Sequence, residues 1–162
     1  MGLQKIAQTL IDKLEGIAWL APLVGRLAVG LLFLSTGWGK VHHIDKVTGF
    51  FQTLGIPAPG FNAVLVGYSE LICGALLIVG LLTRLATIPL IISMIVAILT
   101  AKLKNIHGLF DLIGADEFTY LCVLIMVAVI GPGLLSLDHP LAKRFFRAKE
   151  RVSASIRDAG DG

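Results

Sequence analysis

The stretch FNAVLVGYSELICGALLIVGLL, Phe61–Leu82, is long and apolar enough to cross a bilayer, and it carries one charged group, Glu70, near its middle. About 20 predominantly apolar residues span the hydrocarbon core as a helix. A carboxylate at that depth costs roughly 2.5–3.5 kcal/mol on insertion scales. Glu70 is therefore expected to face a buried partner and not lipid.

Three further stretches have the same character: Trp19–Gly39, Leu85–Ala101 and Phe118–Leu135. The 162-residue chain is 56% hydrophobic and only 15% charged, with a mean hydropathy of +0.84. Soluble domains carry about 25% charged residues. The expected fold is all-α, a polytopic membrane protein built as a four-transmembrane-helix bundle over residues 19–136. That domain leaves no room for a separate soluble catalytic domain.

Before the first span, Leu3, Ile6, Ala7, Leu10, Ile11, Leu14 and Ile17 recur at helical spacing with Lys5, Asp12 and Lys13 between them. The segment lacks the basic-then-apolar order of a cleavable signal peptide. Residues 1–18 are expected to form an amphipathic helix lying in the membrane interface. After the last span, residues 137–162 form a basic tail, with Asp138 placed to cap an amphipathic helix on Leu141, Phe145, Ala148, Val152 and Ile156. Most lysines and arginines lie in the two ends and the Leu82-Thr83-Arg84 connection, which puts both termini in the cytoplasm. This charge is assigned to anionic lipid and not to nucleic acid.

Between the first two spans, Ile44, Val47, Phe51 and Leu54 suggest a short surface helix, stopped at Gly55-Ile-Pro57-Ala-Pro59-Gly60. Pro89 predicts an irregularity in the third span.

Polar and small residues form stripes. Arg26, Gly30, Phe33, Gly37 and Lys40 share one face of the first span, and Ala63, Gly67, Glu70 and Gly74 share one face of the second. Small residues allow two membrane helices to approach closely. The two faces are expected to meet, with Arg26 reaching toward Glu70 and Lys40 at the outer end. Either the pair fixes helix register, or it lines a cavity for a polar head group, a proton or an ion.

On the outer rim, His42, His43 and Asp45 with His107 and Asp111 are ordinary metal-ligand types, but their spacing matches no fixed motif, and no metal is assigned. Asp116 and Glu117 suit a helix N-terminus, and Glu117 is within reach of an outer cavity mouth. Cys73 and Cys122 lie on different spans, form no Cys-x-x-Cys and are read as packing thiols. No Walker loop, dinucleotide-binding fingerprint or Ser-His-Asp set is visible.

In the segments Arg26-Leu-Ala-Val-Gly-Leu-Leu-Phe-Leu, Gly37-Trp-Gly-Lys40, Leu54-Gly-Ile-Pro57, Glu70-Leu-Ile-Cys-Gly74, Gly80-Leu-Leu-Thr-Arg84 and Gly131-Pro-Gly-Leu-Leu-Ser-Leu-Asp138, the chain resembles the DoxX family of small four-span bacterial membrane proteins. The resemblance covers roughly residues 21 to 140. It implies an inner-membrane location and a link to redox complexes, one branch of the family looking like the membrane subunit of a thiosulfate:quinone oxidoreductase. It carries over to Arg26, Lys40, Glu70 and Arg84, and to Glu117. Related-looking four-helix quinone reductases use a Cys-x-x-Cys that this chain lacks.

The expected function is thus a quinone- or lipid-head-group-binding subunit serving a redox partner, with no covalent cofactor. Glu70 and Arg26 would bind the head group, with Lys40 and Glu117 toward the outer mouth. Arg84, Gly67, Gly74 and Pro57 would hold the structure. The alternatives are a non-catalytic assembly or scaffold subunit of a membrane complex and a small-solute permease; self-association as a homo-oligomer stays open under each.

Overall fold

The computed structural model describes residues 2–102, 108–131, 133 and 136–138, and among them all regular structure is helical. The helices are α1 (Gly2–Ile17), α2 (Leu20–His42), α3 (Ile44–Thr53), α4 (Pro59–Val79), α5 (Thr83–Ala97), α6 (Leu109–Ile113) and α7 (Asp116–Ile130). A π-helical turn, Ile98–Lys102, prolongs α5. Three helices are long and apolar enough to cross a membrane: Leu20–His42, Pro59–Val79 and Thr83–Lys102.

The first two of these run beyond the expected spans at their starts or ends for local reasons. Pro59 opens α4, where its missing N–H and fixed φ are tolerated. Gly80, at φ 74, closes α4 earlier than expected, its N–H donating to the carbonyl oxygens of Leu76 and Leu77. The α7 helix also stops short of the expected Leu135. Gly131 at φ 90 turns the chain out after Ile130, so the described helix has 15 residues, about 22 Å of rise. The short surface helix expected between the first two spans is α3. The basic tail from His139 onward lies outside the described residues.

Four apolar helices pack in a ring: α2 on α4, α4 on α5, α5 on α7, and α7 back on α2. The α2–α4 contact is the tightest. A Cβ on Gly30 would lie 3.2 Å from the Gly74 carbonyl oxygen, and one on Gly37 would lie 2.8 Å from the Leu71 Cα. Glycine at these positions lets the two backbones touch, a close approach that membrane helices use in place of hydrophobic drive. The ring interior holds Val29, Phe33, Leu77, Leu90, Leu124 and Val127. Outward positions are apolar too: Phe61, Ile72, Leu85 and Val129 are all more than half exposed. Such an outer surface suits hydrocarbon, not water. The α1 side chains Ile11, Leu14 and Ile17 are likewise exposed.

Candidate ligand-binding site

The glycine contacts fix the α2–α4 register. Gly37 faces the backbone of Glu70 and Leu71, Gly67 faces Lys40 and Val41, and Gly80 faces Arg26. In this antiparallel arrangement Lys40 sits about one turn from the level of Glu70. Arg26 lies some ten residues away, about 15 Å.

The Glu70 partner is therefore Lys40 and not Arg26. Lys40 Nζ donates to Glu70 Oε1 at 2.5 Å, and Thr36 Oγ1 donates to Glu70 Oε2 at 3.0 Å. The carboxylate is 1% exposed and the lysine side chain 30% exposed. The expectation of a buried partner for Glu70 holds, but the expected base does not. The striped faces meet as anticipated, with a register that carries Arg26 past Glu70 to the far end of α4.

At that far end Arg26 is buried, packed against Gly80 and within the electrostatic reach of Asp138. Asp138 caps the start of α5, its carboxylate accepting from the backbone N–H groups of Leu82 (2.6 Å) and Thr83 (2.9 Å), while the helix expected after it lies outside the described residues. Its own N–H donates to the Gly80 carbonyl oxygen at 3.0 Å. Leu82 holds a left-handed conformation, φ 50, and the neighbouring Gly80 is left-handed as well. Arg84 lies over Gly131 and donates to the Val129 carbonyl oxygen at 3.4 Å, tying the start of α5 to the end of α7. Three segments read separately from the sequence, those of Arg26, Gly80–Arg84 and Gly131–Asp138, thus converge on one structural knot.

The opposite end is hollow. A partly open cavity of about 850 Å³ runs between α3, α4, α5, the π turn and the start of α7. Its walls are chiefly apolar, including Phe50, Phe51, Leu65, Val66 and Ile92. Pockets for ligands of drug-like size measure about 300–1,000 Å³ and combine apolar walls with a few placed polar groups. Here those groups are two ion pairs: Lys40–Glu70 and Lys102–Glu117, the latter at 3.4 Å. Glu117 stands in the first turn of α7, as expected of an acid at a helix N-terminus, and its Oε2 is buried with no hydrogen-bond partner among the described residues.

Pro89, which removes one backbone donor from α5, lines the cavity, and the π turn that carries Lys102 widens the helix there. Single π turns inside α-helices are frequent at functional sites.

Of the expected site residues, the structure brings Glu70, Lys40 and Glu117 to the cavity and leaves Arg26 and Arg84 at the knot. Gly67 lets Lys40 lie across α4, and Gly74 sits against Leu34 and Gly30. The Pro57 carbonyl accepts from Asn62 Nδ2 at 2.6 Å, which fastens the loop into α4. His42 hydrogen-bonds the Trp38 carbonyl through Nδ1 and stacks on its indole at 4.2 Å. Among the described residues no three His, Cys, Asp or Glu side chains are grouped to hold a metal ion, while His107 lies outside those residues. Cys73 is buried and Cys122 exposed, both as free thiols.

Sequence reasoning missed Thr36 and Lys102. Thr36 lies four residues before Lys40, a spacing that marks a shared helical face. Lys102 ends one span and Glu117 begins the next, so antiparallel packing alone places that base beside that acid.

The sequence profile of the DoxX family matches residues 21–103. An uncharacterized membrane protein of Mycobacterium tuberculosis, Rv3486, is 41% identical over 130 residues, covering 74% of this chain and 80% of its own length. CatD of Bacillus subtilis, which carries the provisional name of oxidoreductase, is 34% identical over 72% of this chain and 83% of its own. The inner membrane protein YqjF of Escherichia coli is 29% identical over 83% of this chain and its full length. No solved structure matches. With its profile match, its membrane-protein relatives and its long apolar helices, the chain belongs to the DoxX family of integral membrane proteins.

Proposed function

We propose that this chain is an inner-membrane subunit that holds a quinone or a lipid head group for a redox partner. The observation that carries the reading is an apolar cavity ending in a buried carboxylate, Glu70, bound to a half-buried lysine, Lys40. Lys40 presents its ammonium to a bound oxygen, and Glu70 and Thr36 hold that lysine in place. Lys102, supported by Glu117, approaches from the other side. In this reading the electrons come from the partner. The name of the B. subtilis relative supports a redox setting.

In this reading α7 continues as the fourth span and α1 lies in the membrane interface. Arg84 and the lysines and arginines of the two ends mark the cytoplasmic face. The cavity then opens toward the outer leaflet, at a depth where a hydrocarbon tail reaches it from the bilayer.

Mass spectrometry of molecules that co-purify with the native protein tests the proposal. The expected result is a stoichiometric quinone or lipid that Glu70→Gln depletes while the protein stays folded and inserted. Unchanged ligand content in Glu70→Gln, with only lowered thermal stability, would assign the chain to the scaffold role instead. Solute uptake by proteoliposomes holding this chain alone would assign it to transport.

A further inference from the structure

The hollow between α4 and α5 does not end at the level of Glu70. On α4 the cavity-lining residues Leu65 and Ser69 are followed at helical spacing by Cys73 and Leu76, so all four share one face. On α5 Leu85, Pro89, Ile92 and Val96 repeat at the same spacing. Toward the turn that joins the two helices, these faces enclose a second, shallower groove of about 310 Å³. Pro89 lines both hollows, which makes them two parts of one seam.

The two parts differ in chemistry. The cavity carries the lysines and glutamates, whereas the groove is lined by aliphatic side chains, Pro89 and the Cys73 thiol. Cys73 and Ala86 are buried and form its floor, while Leu82, Leu85 and Ile88, each more than half exposed, form its rim. From Pro89 to Leu82 the groove runs about 10 Å along the helix. No side chain in that lining orients a polar group, and a furrow of this volume between two neighbouring helices has room for one hydrocarbon chain abreast.

We infer that the groove holds the hydrocarbon tail of the molecule whose head group sits in the cavity, and that this molecule is a single-tailed quinone and not a diacyl lipid. The inference rests on the head-group reading above and deepens it, because it gives the tail its own site and chooses between the two ligand classes. From a head group beside Lys40 and Glu70, a tail leaving toward Cys73 follows the seam away from the outer leaflet into the depth of the bilayer. Tail and bilayer are equally apolar, so the groove contributes packing contacts and no hydrophobic drive. The second chain of a diacyl lipid would gain none of those contacts.

Photolabelling of the unaltered protein in phosphatidylcholine nanodiscs decides the point. The probe is a fully ring-substituted benzoquinone whose decyl tail ends in a diazirine, with adducts mapped by mass spectrometry of peptides. Adducts are expected on the groove residues of α4 and α5, reduced about fivefold by excess unlabelled decyl quinone, with little labelling there by a phosphatidylcholine carrying the diazirine on an acyl chain. Compared at equal mole fraction in the bilayer, the decyl quinone should bind about fivefold more tightly than its methyl analogue. Leu76→Trp, which fills the groove, should bring that ratio below twofold, with helix content checked by circular dichroism; if this variant fails to fold, the labelling pattern alone decides. Competed adducts that map elsewhere, equal labelling of the groove by the phosphatidylcholine probe, or an unchanged ratio in folded Leu76→Trp would overturn the inference and leave the head-group site standing. Absence of any competed labelling, with neither quinone bound, would remove both the inference and a quinone as the ligand of the function proposed above.

Discussion

Removing the Lys40 amine should cost the protein more than removing the Glu70 charge, although the two groups share one bond. In Lys40→Met the Glu70 carboxylate, 1% exposed, keeps only the Thr36 hydroxyl. Breaking a buried ion pair from one side typically costs about 3–5 kcal/mol, because a buried charge is left uncompensated. The cavity beside it admits some solvent, so the lower end, about 3 kcal/mol, is expected. Glu70→Gln leaves the charge on Lys40 instead, whose side chain is 30% exposed and able to turn into the cavity. The loss there is one charged hydrogen bond with a solvated survivor, about 1–2 kcal/mol. The double variant Lys40→Met with Glu70→Gln removes both charges and should cost less than Lys40→Met alone. Unfolding free energies from denaturant titration in mixed micelles, assembled into a double-mutant cycle, would give a coupling of about 2 kcal/mol. Additive losses, or a Glu70→Gln loss exceeding that of Lys40→Met, would refute the account of a buried acid held by a solvated base.

Three other outcomes follow from the packing. Gly37→Ala, whose Cβ would press on the Leu71 backbone, should lower stability by about 1–3 kcal/mol, while Gly39→Ala, with nothing within 4 Å, should be neutral or stabilising by up to about 1 kcal/mol; thermal midpoints of the purified variants compare them. Asp138→Ala strips the cap from the start of α5 and should cost about 1–2 kcal/mol by the same measurement, with Asp138→Asn retaining part of it. A cysteine at the exposed position Gln52 on α3 should react with a membrane-impermeant thiol reagent added outside intact cells, in a background lacking Cys73 and Cys122; labelling only after lysis would invert the proposed orientation.

The helices were legible because apolar length and small-residue spacing are local properties of the chain. Gly30, Gly37, Gly67 and Gly74 announced that two faces would touch, and they do. The partner of Glu70 was not legible, because stripes specify faces and leave the axial offset open. Arg26 and Lys40 share one face of α2, and only the packed glycines select which of them meets Glu70. The same limit hid the role of Asp138. A residue just past a helix reads as the cap of whatever follows it, whereas its two carboxylate contacts lie in a turn far back in the chain. The cavity was invisible for another reason: its walls are ordinary apolar residues drawn from several helices, with Pro89 and the π turn among them. Lys102 and Glu117, each unremarkable alone, meet only once those helices have packed.

The contact from Asp138 to Leu82 joins positions 56 residues apart. During synthesis the α4–α5 hairpin therefore emerges with two backbone donors of its turn unfilled, and they stay so until the chain beyond α7 has been made. The strut that fills them comes from the stretch beyond α7, so a chain truncated before Asp138 would reach the bilayer with every long apolar helix present and its hairpin still unfastened.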